Sequence, residues 1–329
     1  MASPLPETRA TTARGGRLAR TDEHVARARA HPGFGITDVS LVLMALIWGV
    51  NFSIVKYGTT VLDPLAYNAV RVAIAAVALV LIAQLTTRLA GPVATGWPAR
   101  RDAIALASLG TLGNGLYQIF FVEGVARTRA GDAALVIAAS PAFIALIGRI
   151  RGSEHIRVRG VTGIILSVLG IGLVVIGGTE ASGGATHRAT LLGDLLVLAG
   201  CLCWSVYTVW LQPYTHRVGG LHLSALTMVG GMIPLLAVAT PAIVRASWSN
   251  VPGLAWGAIV YSGLGALVVA YLFWYRGVRV LGPTRTAMYS NLQPLFALIV
   301  AWLVLGETPS VWQGAGAISI IGGLWLTRT

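Results

Sequence analysis

The segment AASPAFIALIGRIRGSEH, residues 138–155, returns in altered form as NLQPLFALIVAWLVLGET, residues 291–308. Each copy sets a proline inside an apolar stretch and an acidic residue 13 positions later, Pro141 with Glu154 and Pro294 with Glu307, and the offset between copies is 153 for both pairs. The same offset carries Gly110 onto Gly263, Gly124 onto Gly277, Gly163 onto Gly316 and Gly170 onto Gly323. At the nearby offset of 156, Asp38 and Trp48 fall on Asp194 and Trp204. A segment that recurs with its surroundings marks a repeated unit of fold.

Composition says where that unit sits. The 329 residues are 55% hydrophobic and 11% charged, with mean hydropathy +0.74. A soluble fold needs far more polar surface than that, so the chain belongs in lipid. A helix crosses a hydrocarbon core of about 30 Å with roughly 17–25 apolar residues. Runs of that length fall near 39–57, 65–85, 102–125, 132–148, 160–178, 191–212, 222–244, 254–275, 284–305 and 311–327. None alternates with the period of two that a membrane barrel requires. The expected fold is an all-α integral membrane protein of ten transmembrane helices, with helices one to five repeated as six to ten. Five is odd, so the two copies cross the membrane in opposite senses, an inverted-topology repeat. Residues 39–178 form the first five-helix repeat, residues 191–327 the second, and residues 1–38 a disordered basic tail. Two similar halves that exchange conformations around one central site are a known way of building a carrier with alternating access.

Charge orients the bundle. Of the arginines outside the runs, 17 fall on one side, while Arg127, Arg129, Arg188 and Arg245 fall on the other. The positive-inside rule then places both termini in the cytoplasm. The formal charge of +12 reads as a topology signal and an attraction to anionic headgroups, not as nucleic-acid binding. A single lysine, Lys56, against 23 arginines points to a GC-rich bacterial genome, hence to the inner, or plasma, membrane. Cys201 and Cys203 lie two apart on one helix and point to different faces, so they form neither a disulfide framework nor a metal site.

Four stretches together resemble EamA-type members of the drug/metabolite transporter superfamily. They are LVLMALIWGVNFSIVKYG (41–58), NAVRVAIAA (68–76), EGVARTRAGDAALVIAASPAFIALI (123–147) and the closing LGPTRTAMYSNLQPLFALIVAWLVLGETPSVWQGAGAISIIGG (281–323). The resemblance covers about 39–327. It implies a ten-helix, two-repeat carrier of small metabolites, commonly an exporter of amino acids or related compounds. The first copy departs from it at RGSEH, where the family often has a Gly-Glu pair like that of LGET.

Buried polar residues at mid-membrane locate a site, because they are costly unless they pair or line a watery cavity. In the third run Asn114, Tyr117, Gln118 and Phe121 stand at i, i+3, i+4 and i+7, which places an amide pair flanked by aromatics on one helical face. The eighth run offers Tyr271 and Trp274, the first Trp48, Asn51 and Phe52, and the sixth Trp204, Tyr207 and Thr208. Tyr289, Gln293 and Phe296 share a face of the ninth. Together these suit a cavity with aromatic walls and a few hydrogen-bonding groups, lined for an amphipathic metabolite; helix packing is the other reading of each stripe. Pro141 and Pro294 each remove a backbone donor, so the fourth and ninth helices should kink and act as hinges, with Ser140 and Gln293 placed to bond the freed carbonyls or a ligand.

Charges gather toward the outer side. Lys56 is expected to snorkel to the interface. Arg71 lies about 9 Å into its helix at 1.5 Å per residue and needs a partner. A structural ion pair with Glu123 or Asp132 is the favoured reading, a substrate carboxylate the alternative. Glu123 and Asp132 are also the candidates for proton linkage, the other energetic option being facilitated diffusion. Small residues in the fifth and tenth runs (Gly163, Ser167 and Gly170; Ala315, Ser319 and Gly323) suit close helix contacts or a homodimer face. No motif for metal binding, phosphate cradling or hydrolytic catalysis is present. The expectation is a secondary transporter with no cofactor and no enzymatic activity, whose partners are a small-molecule substrate and the bilayer. Multidrug efflux, nucleobase or nucleoside efflux and a channel are the alternatives.

Overall fold

A computed structural model describes residues 35–89, 96–152, 158–180 and 185–328. Glu154 and the tail before residue 35 lie outside them. Helices α1 (Ile36–Val61), α2 (Pro64–Leu89), α3 (Arg100–Arg127), α4 (Ala130–Ile150) and α5 (Val158–Glu180) form the first half. The second half comprises α6 (Ala185–Thr215), α7 (Gly220–Arg245), α8 (Gly253–Leu281), α9 (Pro283–Leu305) and α10 (Val311–Arg328). Among the described residues there is no strand, and nine of these helices contain stretches long and apolar enough to cross a bilayer. α10 adds 18 residues as the tenth. The fold is the expected ten-helix, two-repeat membrane bundle, whose helices satisfy their backbone hydrogen bonds within each segment, as lipid requires.

Local chemistry sets the helix ends. Asp63 accepts the amide of Leu65 at 2.9 Å directly before Pro64, so an N-cap and an N1 proline start α2 together. Ser310 and Gln313 form a reciprocal capping box at the head of α10, with bonds of 2.8 and 3.1 Å. α9 stops at Gly306, whose φ of 70° is the left-handed conformation that favours glycine. In the first copy the corresponding glycine is Gly152, φ 76°, one residue earlier in the repeat register. RGSEH therefore ends its helix by the same device as LGET, displaced by one.

Two features sit at equivalent places in both repeats. α3 and α8 each contain a π-helical segment, Thr111–Leu116 and Tyr261–Val269. α4 and α9 are each broken, α4 by a turn at Ala138 and Ala139 and α9 by the 3-10 turn Ser290–Leu292. Pro141 and Pro294 occupy the first turn of the helix that resumes, where a missing N–H costs nothing. The expected kinks are thus short tightened turns, with the backbone still right-handed, lying ahead of the prolines. Ile137, whose carbonyl would have accepted the absent N–H of Pro141, instead accepts Ser140 Oγ at 2.6 Å.

Packing is close where glycines allow it. α3 and α7 approach so tightly that a Cβ on Gly230 would lie 2.1 Å from the Ala107 carbonyl oxygen, and one on Gly110 2.0 Å from that of Thr227. α5 and α10 meet at Gly170, Gly316 and Gly323, where a Cβ on Gly323 would lie 2.4 Å from the Gly163 carbonyl oxygen. Of the small residues weighed as a dimer face, Gly163, Ser167, Gly170 and Gly323 are therefore in contact within the chain. Leu81 (59% exposed), Ile165 (56%) and Leu303 (71%) turn outward, as lipid-facing side chains do. Gly230→Ala should shift the melting temperature of purified protein downward, by an overpacking cost of about 1–3 kcal/mol. Gly172→Ala, where a Cβ meets nothing within 4 Å, should melt like the parent.

Candidate functional site

A cavity opens where the two repeats face each other, at the breaks in α4 and α9. Its walls are Trp48, Asn51 and Phe52 of α1, Arg71 of α2, Tyr117, Gln118 and Phe121 of α3, and Ile137 and Ser140 of α4. From the second repeat come Trp204 of α6, Ala266, Leu267 and Tyr271 of α8, and Ser290 and Gln293 of α9. Nine of the thirteen substrate-binding residues expected from sequence line it: Trp48, Asn51, Arg71, Tyr117, Gln118, Phe121, Ser140, Tyr271 and Gln293.

The aromatic wall is mutually supported. Trp48 meets Trp204 edge-on at 6.0 Å and Tyr271 at 5.8 Å. Tyr117 stacks obliquely on Trp204 at 5.2 Å, and Phe52 meets Phe121 at 5.6 Å. Pairs of this kind contribute about 0.5–1.5 kcal/mol beyond their buried area. The Trp48 indole donates to the Ala266 carbonyl at 2.9 Å, inside the π-segment of α8.

Arg71 forms the polar end. It is 1% exposed, and its Nε donates to Asn68 Oδ1 at 2.7 Å, Nη1 to Ser262 Oγ at 2.6 Å and Nη2 to Gln118 Oε1 at 2.6 Å. The expected ion pair does not form. Glu123 pairs instead with Arg127 on its own helix, and Asp132 accepts Gln313 Nε2 at 2.8 Å. Both sit at the end of the bundle where α1 finishes, outside the cavity lining. Neutral acceptors on three helices take their place, and only Asn68, at i−3 from Arg71, carried a local signal in the sequence. Ser262 is 191 positions away.

Four expected residues lie elsewhere. Asn114 falls inside the π-segment of α3, whose wider turn takes it out of phase with Tyr117 and Gln118 and sets it beside Tyr207 and Tyr275. Tyr207 turns its hydroxyl to that of Tyr275 at 2.6 Å, because a buried O–H in an apolar interior needs a partner. Trp274 is 1% exposed and backs the wall, 5.6 Å from Trp48. Tyr289 precedes the break in α9 and bonds Asp38, so the i, i+4 relation to Gln293 fails. Ile137 and Ser290 line the cavity because both lie at the breaks, which periodicity does not reveal.

The cavity encloses about 40 Å³, space for about three waters at roughly 10–15 Å³ each. Sites for organic ligands run to about 300–1,000 Å³, so the wall must part to admit one. Inter-repeat bonds close both ends. Where α1 finishes, Glu307 accepts the amides of Ala130 and Gly131 at 3.2 and 3.4 Å, Arg129 donates to the Thr308 carbonyl at 2.6 Å, and Thr128 donates to Asp194 at 2.6 Å. Lys56, expected to snorkel, caps α3 there by donating to the carbonyls of Val125, Ala126 and Thr128 at 2.6–3.1 Å. Where α1 begins, Asp38 holds Tyr289, and Arg151 donates to the Val209 carbonyl at 2.7 Å.

Comparison with known proteins places this arrangement. The EamA-like transporter family matches residues 35–176 and again 191–329. The uncharacterized transporter YyaM of Bacillus subtilis is 26% identical over 87% of this chain and 91% of its own. The probable terminal-alkyne amino-acid exporter of Streptantibioticus cattleyicolor is 27% identical over 88% and 90% respectively. A crystal structure of a protein 19% identical to this chain shares the fold with TM-score 0.61, over 88% of this chain and 96% of the other.

Tyr207 and Tyr275 stand outside the lining, which separates stability from binding. Tyr207→Phe and Tyr275→Phe should each lower stability by about 1–3 kcal/mol by leaving a buried hydroxyl short of a partner, and the double variant should cost less than their sum. Denaturation in detergent measures this, and the substrate KM should stay within about twofold for all three.

Proposed function

The chain belongs to the EamA-like transporter family, and from that premise we propose that it carries small amphipathic metabolites, amino acids or related compounds, by alternating access in the direction of export. The observation that carries this reading is the cavity itself: contracted, walled by aromatics and built at the broken helices of both repeats, with inter-repeat bonds at each end. Parting the bonds at one end while keeping those at the other exposes the cavity to one side at a time, and inverted repeats supply two such arrangements. The turns ahead of Pro141 and Pro294 are the points where the helix halves can swing, because the hydrogen bonds there shorten to the 3-10 pattern, Ala139 N–H to the Val136 carbonyl and Gln293 N–H to that of Ser290.

Export agrees with the description of the Streptantibioticus cattleyicolor relative as a probable amino-acid exporter. The arginine asymmetry supports a plasma-membrane orientation with both termini in the cytoplasm. Transport is facilitated and follows the electrochemical gradient of the substrate itself. No lining residue is a carboxylate, and Glu123 and Asp132 are bonded at the end of the bundle, so neither is placed to exchange a proton with bound substrate.

Flux of amino acids, nucleosides and cationic drugs into proteoliposomes of the purified protein tests the proposal. Saturable uptake of amino acids or their derivatives is expected, whereas stepwise single-channel current would sink the carrier reading. Tyr117→Ala and Gln118→Ala should each reduce that flux at least about tenfold, equivalent to about 1.4 kcal/mol, with membrane insertion unchanged. An imposed pH gradient should leave the wild-type rate unaltered, as should Asp132→Asn and Glu123→Gln; dependence on the gradient that either substitution abolishes would establish proton linkage instead.

A further inference from the structure

The cavity lining contains one formal charge. Among its residues Arg71 is the sole Arg, and there is no Lys, His, Asp or Glu. The three groups that hold the guanidinium are neutral, and among the described residues no carboxylate pairs with it. The ring faces of Tyr67 and Phe121 lie 5.9 and 5.7 Å from its central carbon. They soften the charge without cancelling it. A guanidinium has five N–H donors, and the three bonds leave one N–H on each terminal nitrogen without a protein acceptor. A full charge in the interior of a membrane bundle is expensive and is normally paired. Here the described residues supply no counter-charge, so pairing falls to what enters the cavity.

Resting on the carrier reading above, we infer that the substrate is a monocarboxylate of net charge −1 with an apolar or aromatic body, held by its carboxylate on Arg71. A carboxylate offers the planar pair of oxygens that suits a guanidinium edge. The body fits against Trp48, Trp204 and Tyr271. A free ammonium group on the same molecule meets no fixed anion, because Glu123, Asp132, Asp194 and Glu307 are all engaged at the end of the bundle where α1 finishes. A zwitterion therefore gains the anchor but leaves its ammonium to ring faces, and a cation is repelled. The driving force follows from the same charge. Outward movement of a monoanion runs down an inside-negative potential, worth about a 50-fold concentration ratio per 100 mV, with no proton required.

Three compounds with one aromatic body separate the possibilities: N-acetyl-L-phenylalanine (−1), L-phenylalanine (0) and L-phenylalaninamide (+1). Their flux is measured in proteoliposomes of the full chain with potassium and valinomycin potentials of either sign. Saturable flux should be highest for the N-acetyl compound and should follow the sign of the potential. Phenylalanine should move more slowly and without regard to potential, and the amide least of all. Arg71→Gln should raise the KM for N-acetylphenylalanine about 10- to 100-fold and erase the ranking, while Arg71→Lys keeps the charge and the ranking. Loss of a purely structural role would depress all three compounds alike, so the ratio among them is the readout. If Arg71→Gln does not fold, the wild-type ranking and its potential dependence decide alone. Flux of the zwitterion or the cation equal to or above that of the anion, or an unchanged ratio in Arg71→Gln, would overturn the inference and leave the carrier reading standing. No saturable flux of any of the three, from monodisperse protein, would overturn both.

Discussion

A buried guanidinium that is held but not neutralised organises the centre of this protein. Arg71 ties α2 to α3 through Gln118 and to α8 through Ser262, so a single side chain fixes one helix of the second repeat against two of the first. Neutral acceptors hold three of its five N–H groups while leaving its charge. From there the constraint passes outward. The amide of Gln118 reaches the Tyr271 hydroxyl at 3.4 Å, Tyr271 meets the edge of Trp48, and Trp48 bonds the backbone of α8. The cavity wall is thus one connected set of contacts with a cationic end, which is what gives the site a direction.

Around that centre the repeat is closely kept in backbone and loosely kept in side chains. π-Segments recur in α3 and α8, and turns recur in α4 and α9, at equivalent places in the two repeats. The ends are not alike. Where α1 finishes, Glu307 caps the head of α4 through two amides, Gln313 both caps its own helix and holds Asp132, and Lys56 caps α3. In the repeat register the residue equivalent to Ala130 is Pro283, which has no N–H to offer a capping carboxylate. The two ends are therefore closed by different chemistry.

Much of the site was legible as residue types and little of it as geometry. Tyr117, Gln118 and Phe121 obey the helical period and do share the cavity wall. Asn114 obeys it equally and does not, since the π-turn beneath Tyr117 changes the phase between them. Tyr289 is separated from Gln293 in the same way by the 3-10 turn of α9. The ion pair expected for Arg71 was reasonable on cost alone, yet the partners are neutral and one of them is 191 positions distant.

By itself the sequence determined that the chain lies in a membrane, how many times it crosses, that it is built twice in opposite senses, and which helices break. Those properties follow from composition, run length, an offset of 153 and two prolines, all local or additive along the chain. The tertiary structure alone decided which members of each polar stripe face the centre, what holds Arg71, and that among the described residues no carboxylate pairs with it. These depend on helix phase after an irregular turn and on contacts between distant segments, and neither is encoded by any single window of residues.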